Sequence, residues 1–179
     1  HVGGGFAAYQ ITSASQPIQL IDSRAYPSML GYAGAPTVAV VDLAGGPALF
    51  GAGLINGMGL GAQINEAGGF GAVAQLQGPG QLPGNTILLG QFETPQGKFL
   101  YSVGNSQTAF DTWRVHENGT VSFVARSVLP WGDGMTGTEI SDMQVVTLGD
   151  RNFMISVSAL GNYVAAQMLN GDGTAGSAT

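Results

Sequence analysis

The sequence predicts an all-β chain assembled from repeated four-stranded antiparallel units. Three observations carry that prediction. Short runs rich in β-branched and aromatic residues alternate with polar, glycine-bearing turns. The turn glycines Gly69, Gly119 and Gly173 recur about every 50 to 54 residues. A Val/Ile/Leu-rich run stands just upstream of each unit: Pro36–Leu43, Thr86–Glu93 and Asp142–Leu148.

In chain order, Gly5–Thr12 and Pro17–Ser23 read as two strands around a Ser13–Gln16 turn, followed by a connector over Arg24–Ala35. The Pro36–Leu43 run opens the next unit, which continues through Gly46–Gly53, Gly61–Gly69 and Phe70–Leu76. After the turn-rich connector Gly78–Gly84, Thr86–Glu93 opens the clearest unit of the chain. There Lys98–Val103, Ala109–His116 and Val121–Ser127 form a meander closed by Asn118-Gly119, a pair that tolerates the positive φ of a tight hairpin. Alternation within that middle strand places Phe110, Thr112, Arg114 and His116 on one face and Asp111, Trp113 and Val115 on the other. A second connector, Leu129–Gly137, leads to Asp142–Leu148, Arg151–Ser158, a strand running through Ala165 to Gly173, and a weak strand over Thr174–Thr179. The three upstream runs lack polar alternation, so each is expected to be an inner strand buried on both faces. The chain divides accordingly: residues 1–35 hold the last two strands of a first unit and a connector, 36–84 a second unit, 85–137 a third and 138–179 a fourth.

This period is that of a β-propeller blade, since kelch and WD40 units run to about 40 to 50 residues. Ile140–Ser158, followed by Met168-Leu-Asn-Gly-Asp-Gly-Thr174, resembles the propeller repeats of secreted alphaproteobacterial proteins, lactonase-like or associated with hemolysin-type calcium repeats. The Leu100–Ser127 unit is similar to the same repeat. The resemblance implies a propeller-like array, an extracellular or cell-surface bacterial location, and calcium as a conceivable ligand. The calcium nonapeptide Gly-Gly-x-Gly-x-Asp does not occur in the chain. About three and a half blades fall short of the four or more that a ring needs. The expected partners are therefore further blades of a longer chain or neighbouring subunits.

Composition narrows the function classes. The 179 residues carry 5 basic and 11 acidic side chains, a net charge of −6, 30 glycines and no cysteine. So few cations argue against nucleic acid and anionic membrane surfaces, and disulfides and thiolate metal sites are impossible. Leu43–Ala62 is apolar enough to attract a hydropathy scan, but Gly45, Gly46 and Pro47 interrupt it and no basic residue flanks it, so no membrane span is expected. The opening His1-Val2-Gly3-Gly4-Gly5 has neither a basic nor an apolar signal region, and the absence of an initial methionine suits a processed product.

The side chains that could carry chemistry are few. His116 ends a strand near Asp111, Glu117 and several serines, yet a solvated polar residue is normal before a hairpin. Asp133 and Asp172 lie in glycine-rich turns that could offer oxygens to calcium, although Asp-Gly is also an ordinary turn pair. Trp131 and Tyr163, together with His116, are the candidate binding-surface residues, and Tyr26 and Tyr101 are further aromatics that could stack on a sugar or anchor a partner, whereas Trp113, alternating with Arg114, suits a blade core. Asp22, Asp42, Glu93 and Asp142 stand at strand ends, where propeller sites gather. The glycine run 51–71 lacks the Gly-Lys-Ser/Thr of a phosphate loop. No catalytic constellation emerges. The expectation is a structural or binding module of a larger secreted or surface protein. Alternatives are a propeller lactonase or hydrolase with a metal-assisted central site, and a subunit of a filament, virion or fibre.

Overall fold

A computed structural model describes residues 5–11, 18–25, 37–52, 59–76, 86–104, 109–129, 140–159 and 161–178. Among them the chain is all-β. The strands are β1 (Gly5–Gln10), β2 (Gln19–Ala25), β3 (Thr37–Val41), β4 (Ala48–Ala52), β5 (Gly59–Ile64), β6 (Phe70–Leu76), β7 (Thr86–Thr94), β8 (Gly97–Gly104), β9 (Ala109–Val115), β10 (Val121–Val128), β11 (Asp142–Leu148), β12 (Arg151–Ser158), β13 (Tyr163–Leu169) and β14 (Ala175–Ala178). They form four open sheets: a two-stranded first sheet, β1-β2, and three four-stranded meanders, β3-β4-β5-β6, β7-β8-β9-β10 and β11-β12-β13-β14, with every pairing antiparallel.

The meanders share one turn. In each, the hairpin before the last strand pairs the first turn residue with the fifth through its N–H: Asn65 to the Gly69 carbonyl, His116 to Thr120 and Asn170 to Thr174, at 2.8–2.9 Å. The fourth residue bonds back to the first and is a left-handed glycine, Gly68, Gly119 or Gly173, with φ of 81°, 77° and 89°. Only glycine holds this conformation without strain. The equivalent residue in the second sheet is thus Gly68, one position before the Gly69 expected from sequence.

The sheets lie face to face. Ala39, Val41, Ala48, Phe50 and Ala52 of the second sheet pack against Leu89, Leu100, Trp113 and Val115 of the third. Phe92, Phe99, Tyr101, Val103 and Phe110 on the opposite face of the third sheet pack against Met143, Met154 and Leu169 of the fourth. Alternation along β9 makes this possible, sending Trp113 and Val115 one way and Phe110 the other. Trp113 meets Phe123 edge-on at 5.3 Å, and its indole N–H donates to Ser102 Oγ at 3.2 Å. The third sheet is therefore the centre of the described core.

Two strands differ from expectation. β3 and β11 were expected to be buried on both faces, but each is buried on one: Val38 and Val40 of β3, and Val146 and Leu148 of β11, are exposed. Among the described residues, only one four-stranded neighbour packs against each of these sheets, and alternate residues of the apolar run are exposed. Among the described residues, no helix is long and apolar enough to cross a membrane.

Candidate functional site

Each meander runs up, down, up and down, so its first and third hairpins fall at one end. Hydrogen bonds between sheets show that these ends are level. The Ala44 N–H donates to Glu117 Oε2 at 2.8 Å, and Lys98 Nζ donates to the Asp42 carbonyl. The Thr94 hydroxyl donates to the Gly171 carbonyl at 2.6 Å, and the Asn152 amide to the Glu93 carbonyl at 2.7 Å. The hairpins 42–47, 65–69, 94–97, 116–120, 149–150 and 170–174 thus make one continuous rim. Within it a groove of about 430 Å³ is lined by Leu43–Pro47 and Ile64–Glu66. Asn65 is partly committed, its Oδ1 accepting the Gly69 N–H at 2.9 Å. The groove can offer peptide groups and the exposed Glu66 carboxylate to a small polar ligand.

His116 and Asp172 stand on this rim, on different sheets. His116 is exposed, and its Nε2 lies 3.0 Å from Ser122 Oγ. It occupies the turn position that Asn65 and Asn170 hold in the neighbouring sheets. Asp172 has the place of Asn118: in both, Oδ1 accepts the N–H and the hydroxyl of the threonine two residues on, Thr174 and Thr120, at 2.6–3.1 Å. Those bonds, the Thr174 hydroxyl foremost, lower the Asp172 carboxyl below its ordinary range. The turn thus engages one of its carboxylate oxygens. Tyr163 begins β13 at the other end of the fourth sheet, away from His116 and Asp172, and is 40% exposed. Trp131 and Asp133 lie outside the described residues. Among the described residues, no group of three or more His, Cys, Asp or Glu side chains is placed to hold a metal ion.

The strand-end acids do not gather at one point. Asp22 Oδ2 accepts the Phe70 N–H at 2.9 Å, and the Arg24 guanidinium donates to the Phe70 carbonyl at 3.1 Å, tying the first sheet to the second. The Phe70 N–H is the largest cause of a lowered Asp22 carboxyl, with Ser23 and Arg24 adding to it. Asp42 and Glu93 stand at the rim, and Asp142 at the opposite end. Asp111, named from sequence only as a neighbour of His116, is buried at 1% exposure and bound in a fork by Arg126, Nε to Oδ1 and Nη2 to Oδ2 at 2.8 Å each. It lies five residues along β9 from His116, too far to orient the imidazole. Cross-strand pairing of Asp111 with Arg126 was the available signal, and it requires a register that periodicity alone does not supply. Glu117, likewise named from sequence only as a neighbour of His116, was missed as a tie between sheets, and the groove was missed because it lies between two hairpins that only the pairing of the second sheet brings together.

No protein-family model matches the chain, and a search of curated proteins gives no match.

Proposed function

We propose that the chain is an extracellular structural or binding module built of propeller blades, part of a larger secreted or surface protein. The carrying observation is the joint between sheets. At both joints between four-stranded sheets, the faces pack through apolar side chains, the first strands are neighbours, β3 by β7 and β7 by β11, and the rims are level. Meanders stacked by their first strands are the arrangement of blades around an axis. The low charge and the shared turn chemistry agree with a repeat selected for stacking. The rim, with its groove and exposed hairpin tips, is the surface this reading assigns to recognition.

Electron microscopy of the native protein, purified separately from culture medium and from cells, tests the proposal. Radially arranged blades in protein from the medium are expected. A flat stack with no rotation between sheets, or protein confined to the cytoplasm, would overturn it.

A further inference from the structure

Two Asn-Gly pairs stand in the described turns, Asn118-Gly119 in the third sheet and Asn170-Gly171 in the fourth. The pair Asn56-Gly57 lies outside the described residues. Asparagine before glycine is open to a spontaneous reaction, because no side chain shields the following peptide nitrogen. That nitrogen attacks the side-chain carbonyl carbon, Cγ. The N–Cγ bond forms, the Cγ–Nδ2 bond breaks, and ammonia leaves with the proton of the attacking amide. Water then opens the cyclic imide at either carbonyl, giving aspartate or isoaspartate. Whether a given pair reacts depends on what holds its atoms.

At Asn118 the groups are disposed for attack. The residue is exposed, and its Oδ1 accepts the Thr120 N–H at 3.1 Å and the Thr120 hydroxyl at 2.7 Å. Two donors on that oxygen polarise Cγ and stabilise the negative charge that develops as the nitrogen adds. The leaving nitrogen, Nδ2, has no hydrogen-bond partner among the described residues. Gly119 is buried but not tightly, an added Cβ meeting nothing nearer than Gln63 Cβ at 3.9 Å. One bond restrains the nucleophile: the Gly119 N–H donates to the His116 carbonyl at 2.9 Å. It must open before the nitrogen can turn onto Cγ, and a hairpin tip at the surface opens at little cost. Asn170 is held differently. It begins its turn, is half-buried, and its Nδ2 donates to Thr174 Oγ1 at 2.9 Å, so the leaving group is engaged. The third sheet grips the residue that must attack. The Gly171 carbonyl accepts the Thr94 hydroxyl at 2.6 Å, and an added Cβ on Gly171 would lie 2.7 Å from Gln96 Nε2.

We infer that Asn118 is a site of spontaneous deamidation in the folded protein, and that the neighbouring sheet withholds Asn170 from the same reaction. The fourth sheet shows that the aspartate product fits. Asp172 holds the place of Asn118 and accepts from Thr174 the two bonds that Asn118 accepts from Thr120. Aspartate at position 118 therefore keeps the turn and adds one negative charge to the rim. Isoaspartate lengthens the backbone of the turn by one carbon. That carbon enters beside Glu117, whose carboxylate ties the third sheet to the Ala44 N–H of the second.

Peptide mapping by mass spectrometry tests this on the 179-residue chain, aged in mildly alkaline buffer with and without urea. In the folded chain the mass gain of deamidation is expected to appear at Asn118 at least about tenfold faster than at Asn170. In urea the two rates should converge, because the turns and the clamp on Gly171 are gone. Thr94→Ala frees Gly171 and is expected to raise the Asn170 rate while leaving the Asn118 rate unchanged. Gln96→Ala, which clears the other contact on Gly171, takes its place if circular dichroism shows that Thr94→Ala does not fold. No mass gain at Asn118 in the folded chain, or equal rates at the two sites, overturns the inference. So does a difference that persists in urea, which would assign it to neighbouring sequence, or an Asn170 rate that freeing Gly171 leaves unchanged.

Discussion

Tyr101 shows how much one side chain carries between sheets. Its ring fills the space over Gly90, where an added Cβ would lie 2.2 Å from the phenol, and its hydroxyl donates to the Met143 carbonyl of the fourth sheet at 3.0 Å. Burial, with Asp142 adding to it, pushes its pKa up to about 12. A folded value raised above the ordinary 10.0 favours the protonated phenol, so the associated stability is complete below pH 10 and is lost as pH rises toward 12. Ultraviolet titration should therefore show one tyrosine ionising about two units late, and Tyr101→Phe should remove that step. The Asp111–Arg126 fork predicts a second effect. Arg126→Ala leaves a buried carboxylate without its cation and should cost about 3 kcal/mol in urea unfolding. Removing both side chains should cost less than the sum of the single changes. Sequence placed Trp113 in the core correctly, because alternation with Arg114 is a local signal. It left Asp111 unassigned, because its partner lies across a hairpin that contains a bulge.

At the level of elements, strands and turns were legible almost throughout, since β-branched runs and Asn-Gly or Asp-Gly pairs act locally. The turn glycines also separate two costs. At Gly119 the nearest atom to an added Cβ is Gln63 Cβ at 3.9 Å, so Gly119→Ala meets only the left-handed backbone, worth about 1–2 kcal/mol. At Gly173 the same Cβ would lie 2.5 Å from the Phe99 ring of the neighbouring sheet. Gly173→Ala should therefore lower the urea midpoint clearly more than Gly119→Ala, although the two turns have the same hydrogen bonds. The miss on β3 and β11 has the opposite origin. A run of valines states that a strand is apolar on both faces but does not say whether a neighbour covers both.

For the whole molecule, protection should follow the stack. Hydrogen exchange is expected to be slowest in β8 and β9, covered on both sides, and fastest in β1 and β2, whose tie to the second sheet includes the polar contacts of Asp22 and Arg24 with Phe70. The Asp22 carboxyl has a lowered pKa, so that tie is at full strength above the ordinary value of 3.8 and weakens as pH falls through the lowered one. Exchange in β1 and β2 should accelerate at acid pH before the third sheet responds. Stacking order followed from the repeat in the sequence. The level rim did not, because it depends on how one sheet sits against the next.

Every four-stranded sheet is a single uninterrupted stretch of chain, each strand pairing with the one just before it. A nascent chain leaving the ribosome therefore completes each sheet without waiting for distant sequence, and the short loops between partners favour rapid closure. Synthesis would lay down the second sheet, then the third upon it, then the fourth upon that. The order of translation and the order of the stack are the same.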